Sequence, residues 1–294
     1  DVEIRGPGAE SLTIDAGGLS RVFFVGSGVE ATVEGLTLRG GHADNGGAVA
    51  NQGAFTGRDL AFFGNRAVVG GAIANSGVFH VANSILVGNR ADEAGGAVAN
   101  SSAGAITLVN STAAFNAASE GGGIHSPSGS ATVQNSIIAL NGAASGPDLL
   151  GSLAVGSGYN LIGVDPVFLR NPSSGGNAWG DDSANDDYGD LRLASNSPAI
   201  DAGSNALALD AAGNPLVVDF AGDPRIGRLT VDIGAYESHR AIYIVNSLSD
   251  VVAADGLLTL REAIQAANTN TAVHEAAAGY AEGWDVICFD PSLH

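Results

Sequence analysis

A six-residue word, Gly46-Gly47-Ala48-Val49-Ala50-Asn51, returns as Gly70-Gly71-Ala72-Ile73-Ala74-Asn75 and as Gly95-Gly96-Ala97-Val98-Ala99-Asn100, with a degraded copy over residues 121–126. The period is about 25 residues, the length of a unit that buries its apolar face only by stacking on its neighbours. A second word lies between the copies, Phe62-Phe63-Gly64-Asn65-Arg66-Ala67 and Leu86-Val87-Gly88-Asn89-Arg90-Ala91, with shorter forms at 113–117 and 138–142. Residues 36–43 keep the same phase.

If each period is one coil, residues of equal phase form columns. Val49, Ile73, Val98 and Ile124 make one; Leu38, Phe62, Leu86, Ala113 and Ile138 make another. Columns of like apolar residues fill a core, and short strands between Gly and Asn give several sides per coil, stacked about 4.8 Å apart by parallel hydrogen bonding. The expected fold is all-β, a right-handed parallel β-helix, with coils across residues 22–165. Asn51, Asn75 and Asn100, and Asn65, Asn89, Asn116 and Asn141, are expected to stack as turn ladders that satisfy backbone groups and tolerate left-handed conformations. A leucine-rich repeat has a similar period, but its leucine scaffold is missing. Helical repeats fail because no segment before residue 255 sustains a 3.6-residue apolar period.

Charge narrows the partners. The formal net charge is −19, and all twelve basic residues are arginine. Such a surface disfavours nucleic acid and anionic membranes. No apolar run is long enough to span a bilayer. Cys288 is the only cysteine, so no disulfide forms within one chain; its apolar neighbours read as a strand in which it is a small buried hydrophobe.

The Gly-Gly-Ala-Ile and Phe-x-x-Asn words, as in residues 70–73 and 62–65, resemble the repeats of polymorphic outer-membrane proteins. Residues 190–237, with Asn196-Ser197-Pro198-Ala199-Ile200-Asp201-Ala202-Gly203 and Val231-Asp232-Ile233-Gly234-Ala235-Tyr236-Glu237, resemble the closing segment of choice-of-anchor Q proteins. Leu260-Arg261-Glu262-Ala263-Ile264-Gln265-Ala266-Ala267-Asn268 resembles the CSLREA element that opens such β-helices, although Leu258-Thr259 stands in place of Cys-Ser. The resemblance implies an exported bacterial protein of the cell surface or extracellular space, without assigned catalysis.

The expected organisation is a β-helix over residues 1–237, with a Gly/Asp-rich loop at 171–190 and the closing segment at 190–237. Residues 238–294 follow as a cap element. Thr259 with Glu262 three residues on reads as a capping box, and Leu260, Ile264 and Ala267 fall on one helix face expected to cover an open coil end. In the families resembled the cap element comes first; here it comes last. Ala241-Ile242-Tyr243-Ile244-Val245 and Trp284-Asp285-Val286-Ile287-Cys288-Phe289-Asp290 read as strands leading into a following coil. The expected partner is therefore a neighbouring copy, head to tail.

Asp181, Asp182, Asp186, Asp187 and Asp190 form the densest carboxylate cluster. They read as a solvated loop or as oxygen ligands for calcium, though not as an EF-hand. Asp59 gives way to Asn83, Asn110 and Asn135 at one phase, which reads as a turn column. Arg66 and Arg90 align in adjacent coils and, with Arg39 and Arg58, read as edge charges paired with Asp or as a grip for an anionic sugar. The six histidines show no metal-ligand spacing and read as surface residues. Three function classes follow: a structural or adhesive fibre unit without catalysis, a polysaccharide lyase or glycosidase, and a calcium-dependent glycan-binding module.

Overall fold

The computed structural model describes residues 1–181, 185–194, 196–227, 229–238, 242–279, 285–290 and 292–293. The repeat forms a parallel β-helix. The coils carry strands on three sides, and three of them carry a strand on a fourth. The first side stacks Phe23–Val25, Val49–Asn51, Ile73–Asn75, Val98–Asn100, the start of Ile124–Gln134, and Leu149–Leu153. The second stacks Val2–Arg5, the first halves of Glu30–Arg39 and Ala54–Phe63, Val78–Ala82, Ala105–Val109 and the end of Ile124–Gln134. The third runs from Thr13–Asp15 through the second halves of those long strands to Ile85–Val87, Thr112–Ala114, Ile137–Ala139 and Leu161–Ile162. A short fourth side holds His42–Asn45, Arg66–Val69 and Arg90–Ala94.

Both expected columns point inward. Val49, Ile73, Val98 and Ile124 are at most 1% exposed, and so are Leu38, Phe62, Leu86, Ala113 and Ile138. On the second side Phe55 and Phe79 stack in parallel with ring centroids 4.7 Å apart. These side chains join one continuous core. Fully burying one such side chain contributes roughly 1.5–3 kcal/mol, so the stack of like residues is the main stabilising term.

The paired glycines turn the corner into the first side for two reasons. Gly46, Gly70, Gly95 and Gly121 all have positive φ, and a Cβ on Gly47, Gly71 or Gly96 would lie 2.2–2.3 Å from the carbonyl oxygen of the coil beside it. Only glycine fits both places.

Beyond the coils, Asp190–Leu193 pairs antiparallel with Phe168–Arg170. The closing segment then runs along the outside of the corner between the second and third sides, with a 3₁₀ turn at Asn205–Leu207. In the cap element, Ile242–Val245 and Val286–Phe289 pair in parallel, and the helix α1, Leu260–Thr269, packs against them. Its apolar cluster, centred on Tyr243, Val245, Ala263 and Ala266, shares no residue with the solenoid core. Among the described residues no helix is long and apolar enough to cross a membrane.

Candidate functional site

The seven ladder asparagines stack inside the turns. Asn51 Nδ2 donates to Asn75 Oδ1 at 2.8 Å, Asn75 to Asn100 at 2.8 Å, and Asn100 to Ser126 Oγ at 3.0 Å. In the second ladder Asn65, Asn89, Asn116 and Asn141 hand the bond on at 2.9 Å each, ending on Asp148 Oδ1. Each amide also serves backbone groups: Asn89 donates to Phe62 O and accepts from Asn65 N. Buried amides are tolerated because they are satisfied this way.

The ladder asparagines do not take the left-handed conformation expected of them. It falls one residue earlier, on Gly64, Gly88, Phe115 and Leu140, and on the outward column Asp59, Asn83, Asn110 and Asn135. An inward-pointing amide needs ordinary strand geometry, so the adjacent residue absorbs the turn. Phe115 and Leu140 adopt a conformation that disfavours side chains by roughly 1–2 kcal/mol each.

The outward column is the dock for the closing segment. Asn83 Oδ1 accepts from Arg225, Asn110 Nδ2 donates to Asp232 O, and Asn135 exchanges two bonds with Ser204. Arg225 is fully buried and pairs with the buried Glu237 at 3.0 Å. Glu237 also accepts from Gly227 N and Asp232 N. Asp219 accepts from Glu237 N and Asp223 N, and Asp232 from Asp201 N and Ser238 N. Burial, and then the charge of Glu237, pushes Asp232 up to about 7. Burial also raises Glu237 and Asp219. Sequence reasoning missed this network. Its signal was the pair Asp232 and Glu237 set among apolar residues in a word that otherwise belongs in a core.

The acidic loop packs on the corner where the third side ends. Tyr188 stacks on Phe63 with centroids 4.4 Å apart, and a Cβ on Gly88 would lie 2.6 Å from the Trp179 ring. The aspartates are held separately. Asp181 lies between Arg66, at 2.6 Å, and Arg90, at 3.7 Å; Asp187 pairs with Arg170, and Asp190 with Arg192. Asp186 accepts from Gly180 N and the Tyr188 hydroxyl. Asp182 lies outside the described residues. Among those described, no three His, Cys, Asp or Glu side chains converge as a metal site. Arg39 pairs with Asp15, and Arg58 with Glu34 and Asp59.

Leu260 and Ile264 are 40% and 43% exposed, and the buried face of α1 is Glu262, Ala263 and Ala266. Small alanines let the helix lie close on its own two strands, and the Thr259–Glu262 capping box is formed, so the larger side chains and the partly buried Ala267 fall toward the rim. On its inner side the helix covers the Ile242–Val245 and Val286–Phe289 ladder, and Leu260 and Ile264 stay on its outer side. Cys288 is exposed instead of buried. His80 and His125 are half-buried; His80 Nε2 has no hydrogen-bond partner among the described residues, and burial lowers its pKa. His239 and His294 lie outside the described residues.

Compared with known proteins, the chain matches no family model, no curated protein and no solved structure.

Proposed function

We propose that this chain is a non-catalytic structural or adhesive unit of a bacterial cell-surface or extracellular β-helix array, in which units follow one another head to tail. The observation that carries the reading is the second parallel ladder. Ile242 pairs with Val286 through Val245 with Phe289, in the strand sense of the solenoid, and has its own helix and apolar cluster. It is built like the opening of another coil stack. Ile244, Leu248, Leu260, Ile264 and Phe289 remain between 40% and 70% exposed on this small element, an apolar surface that a neighbouring coil would cover. Calcium is not needed for this role, since arginines already face three of the loop carboxylates.

Sedimentation velocity over a concentration series tests the assembly. The expected result is mass growth in steps of one unit, weakened by Phe289→Lys and Ile244→Lys. A monomer at every concentration, unchanged by either substitution, would overturn it.

A second reading, a polysaccharide-degrading enzyme, is favoured by one cleft of about 410 Å³ lined by Glu34, Arg58, Asp59 and Asp219. Burial raises both Asp59 and Asp219, as general acids require. The chemistry of the pair argues against it. Both Asp219 oxygens already accept backbone N–H bonds, and Asp59 is held by Asn83 and Arg58. Reducing or unsaturated ends released from pectin or alginate, and lost in Asp59→Asn, would favour this reading over the first.

A further inference from the structure

We infer that the outer surface of the first side is a binding trough for an extended oligosaccharide of neutral sugars. The strand register sets the floor. Phe24, Ala50, Ala74, Ala99 and His125 are successive partners across five coils, one residue beyond the buried column that starts at Phe23 and Val49. Their side chains therefore point outward. Three alanines between an aromatic ring and an imidazole leave a channel with a raised group at each end. Four coil spacings of about 4.8 Å make it on the order of 19 Å long. The volume of this open trough is about 720 Å³, within the range of small-molecule sites.

The walls define the ligand. Along one side stand Asn45, Val69 and Ala94 from the short fourth side, and along the other Gln52, Ser76 and Ser101 from the turns. A protein with 31 acidic residues places no carboxylate in this lining. The two ionisable groups that do line it are engaged: Arg21 donates to Asn45 O at 3.0 Å and lies 5.9 Å from the Phe24 centroid, and His125 faces Glu120 at 3.6 Å. What remains for a ligand is a 60% exposed Phe24 ring, an apolar floor, and amide and hydroxyl groups on the walls. An aromatic face against the C–H face of a sugar, with amides and hydroxyls for its O–H groups, is the matching chemistry. An extended peptide fits less well. It binds sheets by their edges, and the backbone groups of this floor are already paired between coils. Polyanions are disfavoured by the net charge of −19.

The trough lies away from the acidic loop and does not depend on end-to-end assembly. Isothermal titration with cellohexaose, β-1,4-mannohexaose, chitohexaose and, as an acidic control, hexagalacturonate tests it. At least one neutral hexasaccharide is expected to bind saturably and more tightly than hexagalacturonate. Phe24→Ala is expected to weaken that binding about tenfold, and Ala74→Trp, which fills the floor from outside the core, to abolish it with the melting curve unchanged. Binding by none of the neutral sugars, tighter binding of hexagalacturonate, or unchanged affinity in Ala74→Trp would overturn the inference. Cleavage of a bound sugar would support the trough and overturn the non-catalytic reading instead, so the two can fail separately.

Discussion

Replacing Arg225 by Met tests whether the buried charge network holds the closing segment to the coils. The substitution keeps an apolar stem but removes the cation that faces Glu237 at 3.0 Å and the bonds to Asn83 Oδ1 and Ala235 O. Glu237, Asp232 and Asp219 then stay buried without the Arg225 guanidinium beside them. Breaking a buried pair from one side costs about 3–5 kcal/mol. For a domain of this size that corresponds to a fall in melting temperature on the order of 10 °C, if the segment and the coils unfold together. If the segment peels away first, the loss appears locally. The assay is therefore urea unfolding together with hydrogen exchange at Gly227, Asp232 and Gly234, compared with coil amides such as Val98. Adding Glu237→Gln removes one stranded charge and should recover at least about 2 kcal/mol of the loss. If Arg225→Met changes both stability and exchange by less than about 0.5 kcal/mol, or if Glu237→Gln deepens the defect, the network does not hold the segment.

Further outcomes follow from the same geometry. Ile73→Asp buries an unpaired charge in the first column and should yield no cooperatively melting protein; a soluble variant with a sharp transition would refute the register. Asn89→Ala leaves Asn65 N without its side-chain acceptor, removes the amide bond to Phe62 O and breaks the ladder from Asn65 to Asn116; it should cost about 2–4 kcal/mol in urea unfolding, against less than about 1 kcal/mol if the ladder is incidental. The raised pKa of Asp232 means that the folded state holds its proton more tightly than the unfolded chain. Its contribution is full below about pH 4 and is lost as pH rises through about 7, so Asp232→Asn should flatten the fall in stability between pH 5 and 7.5, and an unchanged slope would place the titration elsewhere. Millimolar calcium and chelator should give melting curves within about 1 °C, because Arg66, Arg90, Arg170 and Arg192 already face the loop; a rise of several degrees would restore calcium as a ligand.

The coils were legible in the sequence because the same physical demand recurs every period. A β-branched or leucine side chain must fill the same volume in each coil, and an amide must satisfy the same turn, so Val49, Ile73 and Val98 announce one another. The closing segment was not legible in that way. Arg225, Asp219, Asp232 and Glu237 occur once each, and nothing local says that Arg225 reaches Asn83, 142 positions earlier. The outward column was read as a turn motif, which accounts for its positive φ but not for its role as a dock. The inner face of the helix was not legible either. Leu260 and Ile264 carry the larger apolar groups, yet close packing on two short strands selected Ala263 and Ala266. The trough was hidden because its floor is defined by small residues, and alanines at Ala50, Ala74 and Ala99 gain meaning only when the register places Phe24 and His125 at their ends.

In the proposed array the Ile242–Val245 and Val286–Phe289 ladder opens onto the first coil of a neighbouring unit. Cryo-electron microscopy of the concentrated protein tests it most directly. Such an array forms rods in which strand spacing continues at about 4.8 Å across each junction, with Val286–Phe289 of one unit next to Val2–Arg5 of the following one. Uniform single particles at high concentration, in which Val2–Arg5 is covered by the chain's own residues, would contradict it.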